Sequence, residues 1–175
     1  MSQRVSLNAR LMQDADVTGE IYVVLVEITH PDLDAPVRLS TDNTERLSEP
    51  PEISYGTRSS WRGANPATEP FLWILASAVL PGDQEDAPAT ATLVLENLDA
   101  GMVRVLRSFI EPPTVAMAVV LAASPDVIEA EFTELKIVSM SANAGEIVLS
   151  LSRELVEDEP FPSARMSWQR FPGLH

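Results

Sequence analysis

The stretch TVAMAVVLAASPDVIEAEFTELKIVSM, residues 114–140, decides the fold. Its first part, residues 114–124, is continuously apolar and predicts either a strand that is covered on both faces or a core strand of a sandwich or barrel. Its second part alternates apolar and polar residues as far as Phe132, after which Leu135 and Ile137 carry the apolar positions. The odd spacing between Phe132 and Leu135 predicts a β-bulge in a long second strand.

Other segments of the chain show the same β-branched or alternating patterns, bounded by proline and glycine turns. They are residues 20–30, 37–41, 71–80, 89–98 and 146–155. The first two are expected to pair as a hairpin, and 71–80 reads as a buried strand. So many short strands with proline-rich turns predict a mainly β fold, either an antiparallel sandwich or a partly open barrel.

Two helices are predicted beside the strands. Residues 4–14 carry a short apolar stripe that indicates an N-terminal helix. A central helix is expected after Asp99, which can cap its N-terminus, and the prolines at 112–113 end it. Arg104 and Arg107 lie on the polar side of this helix, where they form either a solvated face or a docking surface for an acidic neighbour.

Two segments are irregular. Residues 42–70 hold many prolines and polar residues and predict a long loop, with a short strand near 52–55. Trp61 in this loop either packs or anchors an interface, whereas Trp73 is expected to pack. The segment EPFPSARMSWQRFPGLH, 159–175, is stiff and apolar, so it suits either an arm on a neighbouring subunit or a cover for an edge of its own sheet.

Composition narrows the classes of function. With 175 residues the chain predicts a single domain, 1–175, with a core of its own. Its net charge is −14 and it shows no basic cluster, which argues against binding to duplex DNA or to an anionic membrane. The absence of cysteine excludes disulfides, thiolate metal sites and cysteine nucleophiles. The sequence predicts neither a membrane span nor a signal peptide, so we expect synthesis and assembly in the cytoplasm.

The chain shows no pattern of catalytic residues. Its two histidines, His30 and His175, do not suggest a metal pair, and no serine has a histidine base placed near it in a known motif. Glu129 and Glu131 are spaced as paired carboxylates, but this is also how the solvated face of a strand appears. We therefore predict no catalytic, cofactor-binding or metal-binding residues, and a protein that is not an enzyme.

Three short motifs carry a resemblance to a known family. They are the turn Ser124-Pro125-Asp126, the run Pro160-Phe161-Pro162 followed by Arg165, and the closing Phe171-Pro172-Gly173-Leu174. With the early stretch ITHPDLDAPVRLSTD and the ENLD before the central helix, the chain resembles a family of phage and prophage tail proteins. That family has long been catalogued as a domain of unknown function, and it also occurs in gene-transfer particles.

The resemblance implies a structural role at the tail tip, similar to that of distal-tail or minor tail proteins. Such proteins form rings, with a hexamer favoured over a trimer, and join the tail tube protein to the hub and baseplate proteins. DNA would only pass through the lumen, and neither a cofactor nor a membrane is implied. The implied location is the virion tail, after assembly in the cytoplasm of a host bacterium.

Candidate interface residues follow from the aromatic, arginine and proline positions above. They are Trp61, Arg104, Arg107, Phe161, Arg165, Trp168, Phe171 and Pro172. Two other functions stay open at this point: a β-module that binds carbohydrate or a receptor, and a tail-associated wall hydrolase. Exposed tryptophans in the 42–70 loop would favour the binding module.

Overall fold

The computed structural model describes residues 5–16, 18–79, 90–96, 111–143 and 146–153. One helix, α1, spans Leu7–Asp14, and a 3-10 turn spans Trp61–Gly63. The strands are β1 Tyr22–Thr29, β2 Val37–Ser40, β3 Glu45–Arg46, β4 Tyr55–Thr57, β5 Phe71–Trp73, β6 Leu75–Val79, β7 Thr90–Glu96, β8 Thr114–Leu121, β9 Ser124–Ala142 and β10 Glu146–Arg153. The protein is therefore mainly β with a short N-terminal helix, as the sequence predicts. The predicted central helix and residues 159–175 lie outside the described residues.

All ten strands belong to one open sheet, in the order β3-β4-β5-β2-β1-β8-β9-β10-β7-β6. The hairpin of β1 and β2 is confirmed, with Leu25 opposite Ser40. One pair departs from the predicted antiparallel arrangement, because β2 and β5 run parallel and make the sheet mixed. The long connection between these two strands, residues 41–70, makes a parallel crossover feasible, since parallel neighbours need a dozen or more linking residues.

The sheet curls around an inner core. One cluster of buried side chains joins Leu39 of β2 to Leu93 of β7, two strands that are five positions apart in the sheet. In a flat sheet these strands would lie about 24 Å apart, much farther than the one residue between β5 and β6 can span. The chain itself links β2 to β7. β5 pairs with β2, the chain then continues through Ile74 into β6, and β6 pairs with β7. The packing is thus a single curled sheet, as in the partly open barrel alternative.

A second core covers the outer face of the central strands. Val23 and Leu25 of β1 and Ala118 of β8 pack there against Trp61 and Phe71. The opposite side chains of β1 and β8 point into the inner core. The strand predicted at 114–124 is present as β8 and is covered on both faces, and Trp61 and Ala64 of the 42–70 loop supply the outer cover together with Phe71.

The bulge predicted in β9 is present. Phe132 is opposite Met117 and Leu135 is opposite Val115, so β9 uses one residue more than β8 between these pairs. Glu134 lies in that interval with a φ of 61°. A residue in this left-handed region bends the strand, and the bend returns Leu135 to the inner core, where it is fully buried.

Two segments differ from the sequence expectation. Residues 42–70 hold more regular structure than the one short strand predicted near 52–55: β4 lies beside that position, and β3 and a 3-10 turn were not predicted. The segment 71–80 is not a buried strand: in β6 every second side chain is exposed and the others are only half-buried. The reason is its position, since β6 is the outermost described strand on its side of the sheet.

Candidate interaction surface

The structure describes one of the interface residues predicted from the sequence, Trp61. The others lie outside the described residues; they are Arg104, Arg107, Phe161, Arg165, Trp168, Phe171 and Pro172. The candidate surface must therefore be built from described residues that the sequence did not single out.

Trp61 is a core residue. Its side chain is 5% exposed, and its ring centroid lies 5.8 Å from that of Phe71. The indole Nε1 donates a hydrogen bond of 2.8 Å to Oε1 of Glu131, so the polar end of the ring is satisfied. Of the two predicted roles, packing and interface anchor, the structure supports packing.

Trp73, in contrast to Trp61, lies at the surface. Its side chain is 42% exposed, so the expectation that it packs in the core is wrong. The register of β4 and β5 places Tyr55, which is 40% exposed, opposite Trp73. Tyr55 and Trp73 are exposed because of their position near one end of the sheet. They lie beyond the outer core, whose last residue on β5 is Phe71.

Asp126 fastens the loop before Trp61 to the start of β9. One oxygen of its carboxylate, Oδ1, accepts hydrogen bonds from the backbone N–H of Ser60 at 2.7 Å and from both the Ser60 and Ser59 hydroxyls. The Ser59 hydroxyl also donates to the carbonyl oxygen of Pro125. These donors, the Ser60 backbone N–H first, hold the pKa of Asp126 below its ordinary value.

The Asp126 contacts predict a dependence of stability on pH. Because the folded pKa is lowered, the carboxylate stabilises the fold at neutral pH and loses this effect as the pH falls below about 4. We expect Asp126→Asn to lower the free energy of unfolding more at pH 6 than at pH 3, measured by urea unfolding. Asp34→Asn, at an exposed aspartate between β1 and β2, is the control and should show no such difference. Equal losses for Asp126→Asn at both values of pH would contradict the prediction.

Glu27 of β1 binds two arginines at once. The carboxylate accepts from Nε of Arg38 at 3.0 Å and from Nε of Arg62 at 2.5 Å, and the Glu27 side chain is 4% exposed. Arg38 also pairs with Glu69, which lies near the end of the 42–70 loop that contains Arg62. The loop is thus held to the sheet by ionic contacts at its middle and its end, and it forms a rigid outer layer.

The carboxylates of β9 serve the structure. Glu129 is buried, not solvated as expected, because its Oε2 accepts the backbone N–H of Ser6 at the start of α1. Glu131 accepts from Trp61. Each carboxylate already holds a neighbouring segment in place. Within the described ranges, no group of three or more histidine, cysteine, aspartate or glutamate side chains could hold a metal ion.

An exposed apolar row runs along the outer face of the strands from 71 to 79. Trp73, Leu75 and Val79 are 42%, 53% and 64% exposed. The intervening Ala76 and Ala78 point to the inner core and pack against it. The alternation of larger and smaller residues in the sequence separates the two faces of this segment, but it does not show which of the two faces is exposed. We call Trp73, Leu75 and Val79 the outer apolar row.

The two edges of the sheet differ in kind. The edge strand β3 has two residues, both charged and exposed, and Glu45 pairs with Arg58 while Arg46 pairs with Glu49. Short, charged edges are a common protection against unwanted strand pairing. At the other end of the described sheet, β6 has five residues and none of them is charged. The β6 edge and the outer apolar row together form the candidate interaction surface.

Neither the models of known protein families nor the curated proteins contain a match to this chain. Of the helices in the described part of the chain, none has the length and apolar character to cross a membrane.

Proposed function

We propose that this protein is a structural component of the tail tip of a tailed phage or a phage-like particle, where it forms a ring between the tail tube and the baseplate hub. The observation that carries an assembly role is the outer apolar row beside the uncharged β6 edge, because exposed apolar surface of this kind marks protein–protein contacts. The resemblance of the C-terminal motifs to phage tail proteins supports the tail tip as the assembly in question.

The rigid loop supports the same role. A ring subunit must present its contact surface in one geometry, because head-to-tail contacts close a ring only at a defined angle. The ionic contacts of Glu27 and the Asp126 hydrogen bonds hold the loop to the sheet at several points. A surface on such a scaffold loses little conformational entropy on assembly.

We expect two lysines in the outer apolar row to prevent assembly without unfolding the subunit. Leu75→Lys with Val79→Lys places two charges where a neighbour would pack, while both side chains already face solvent in the single subunit. The mass of the assembly, measured by light scattering during gel filtration, should fall to that of one subunit. The matched control, Gln13→Lys with Thr18→Lys, adds the same charge at exposed positions elsewhere and should leave the mass unchanged.

The particle gives a second test of the proposal. The protein should be found in purified tails, and deletion of residues 159–175 should yield particles without a finished tail tip, seen by electron microscopy. A wild-type protein that is monomeric at all concentrations and absent from particles would end the proposal.

A binding module for carbohydrate or a receptor is the second candidate function. The exposed pair Tyr55 and Trp73 favours it, since aromatic faces at a surface suit contact with sugar rings. The buried position of Trp61 removes the loop tryptophan that would have strengthened it. Glycan binding that is lost in Trp73→Ala, by a protein absent from particles, would favour this candidate over assembly.

A further inference from the structure

The helix α1 carries apolar residues on two sides. Ala9, on one side, is fully buried. Leu7 and Leu11, one turn apart on the other side, are 71% and 60% exposed. Arg10 lies beside these leucines on the same side, and Asp14 ends the helix one turn after Arg10. We call Leu7 and Leu11 the leucine face of α1. Two large apolar side chains next to each other in water favour contact with a partner.

α1 lies at the end of the sheet where β8 turns into β9. The backbone N–H of Ser6, just before α1, donates to Oε2 of Glu129 at 2.8 Å. After α1 the chain reaches Ile21, whose carbonyl oxygen accepts from the backbone N–H of Ala122 between β8 and β9. The segments on either side of α1 are thus fastened to this end of the sheet, and the leucine face is presented there.

A pair of carboxylates lies at the other end of β9. One row across the outer face holds Leu75 of β6, Glu96 of β7 and Glu146 of β10, all three exposed. We call Glu96 and Glu146 the carboxylate pair. Like charges directly opposite each other on neighbouring strands are destabilising. Glu146 accepts a neutral hydrogen bond from Nδ2 of Asn143, but among the described residues neither carboxylate has an ion-pair partner. The carboxylate pair therefore favours a neighbour that brings a positive charge next to Leu75.

The leucine face and the carboxylate pair are too far apart to meet in one molecule. From Glu129 to Ala142, which lies next to the start of β10, β9 runs for about 40 Å. A right-angled bend at Glu134 would still leave about 30 Å between the two places, whereas α1 is only about 12 Å long. A contact between them can therefore form only between two copies of the chain. Because it joins two different surfaces, such a contact is head-to-tail.

We propose that the leucine face of α1 packs on the outer apolar row of the next copy, with Arg10 beside the carboxylate pair. The charges of the two surfaces are complementary. Leu7 and Leu11 lie about 6 Å apart along the helix axis. Trp73 and Leu75 lie about 7 Å apart along the chain, so the apolar spacings agree as well. The inference rests on the proposed function, since it names the part of the neighbouring subunit that the outer apolar row contacts.

Disulfide crosslinking tests the contact, because the chain has no cysteine of its own. Mixing Leu11→Cys with Leu75→Cys under mild oxidation should give a linked dimer of the two variants, and neither variant alone should link to itself to a comparable extent. The control mixture replaces Leu11→Cys with Asp34→Cys, an exposed position in the connection between β1 and β2. We expect at least about tenfold less linked product in the control, because a disulfide needs its two Cα atoms within about 7 Å.

An exchange of charges gives a second test. Arg10→Glu should raise the dissociation constant of the assembly about tenfold or more, because it brings a third carboxylate to the carboxylate pair. Adding Glu96→Arg to this variant should restore assembly, since the two charges are then exchanged. Arg46→Glu makes the same change of charge on β3 and should have no effect. Gln13 of the lysine control lies to the side of the leucine face, so that control remains valid. Sedimentation velocity measures the dissociation constants.

Three results would overturn the inference. If the wild-type protein assembles and Arg10→Glu assembles equally well, or if both cysteine mixtures link equally, α1 is not the contact, although the proposed function still stands. If Leu11→Cys links mainly to itself, the contact joins two copies of α1 instead. If the wild-type protein stays monomeric at all concentrations, the head-to-tail contact is absent, and the presence or absence of the protein in purified tails then decides the proposed function separately.

Discussion

Replacing Glu27 with alanine is expected to lower the free energy of unfolding by about 3 to 5 kcal/mol. The carboxylate is buried between two arginines, and its loss leaves Arg38, whose side chain is 10% exposed, with only its longer contact to Glu69. It also releases Arg62, which together with Trp61 ties the 3-10 turn to the sheet. Urea unfolding followed by tryptophan fluorescence measures the effect.

The matched control for Glu27 is an ion pair at the surface. Glu49 pairs with Arg46 at 3.0 Å, but the Glu49 side chain is 86% exposed. Glu49→Ala should leave the unfolding midpoint nearly unchanged, because solvent screens such pairs. The double variant Glu27→Ala with Arg62→Ala should lose less than the sum of the two single variants, since the two residues share one contact. Similar stability of Glu27→Ala and Glu49→Ala would show that the ion pairs of Glu27 do not stabilise the fold as described.

Replacing Gly56 with alanine is expected to cost about 3 kcal/mol or more. Gly56 lies in β4 opposite Leu72, and a Cβ built on it would lie 1.9 Å from the backbone oxygen of Phe71. That atom belongs to the neighbouring strand, so no side-chain rotation relieves the overlap. The strands β4 and β5 would have to separate, and Phe71 would lose its contact with Trp61. A loss of unfolding free energy and a change in tryptophan fluorescence of the folded state should appear together.

Gly19 is the control for Gly56. A Cβ at Gly19 would have no atom within 4 Å, so Gly19→Ala should change the unfolding free energy by no more than about 0.5 kcal/mol. Both variants add one methyl group and change the unfolded chain in the same way. If Gly56→Ala is as stable as Gly19→Ala, β4 does not pair with β5 in solution as described.

The two largest effects concern the layer that covers the outer core. Glu27 holds the middle of the 42–70 loop, and Gly56 allows the strand from that loop to approach β5. The proposed interaction surface begins where this layer ends, at Trp73 and along β6. Variants that loosen the layer should therefore weaken assembly indirectly, whereas the lysines in the outer apolar row act on assembly alone.

Strands with a repeating pattern could be predicted because the pattern is local. In a strand, alternate side chains face opposite sides. The spacing of Ile147, Leu149 and Leu151 therefore predicts a buried face even when the neighbouring strands are not known. The bulge in β9 was predictable for the same reason, since a break in the period of two between Phe132 and Leu135 requires an extra residue.

Burial of single polar groups could not be predicted, because it depends on what packs above them. Glu129 has the pattern of a solvated strand residue and is buried only because α1 begins over it. Glu27 lies within an apolar strand, and its charge is acceptable there only because Arg38 and Arg62 meet it from two other segments. Trp61 and Trp73 are alike as residues and differ in exposure only through their places in the fold, Trp61 in a 3-10 turn over the outer core and Trp73 at the end of β5.

The amino-acid sequence by itself determined that this chain builds a mainly β protein with a short N-terminal helix, and where most of its strands lie. Only the tertiary structure decided that β2 and β5 run parallel, that the sheet curls around the inner core, and that β6 is the last of the described strands on its side. The physical reason is that alternation specifies the two faces of a strand but not its neighbours, and the neighbours decide which apolar residues remain exposed.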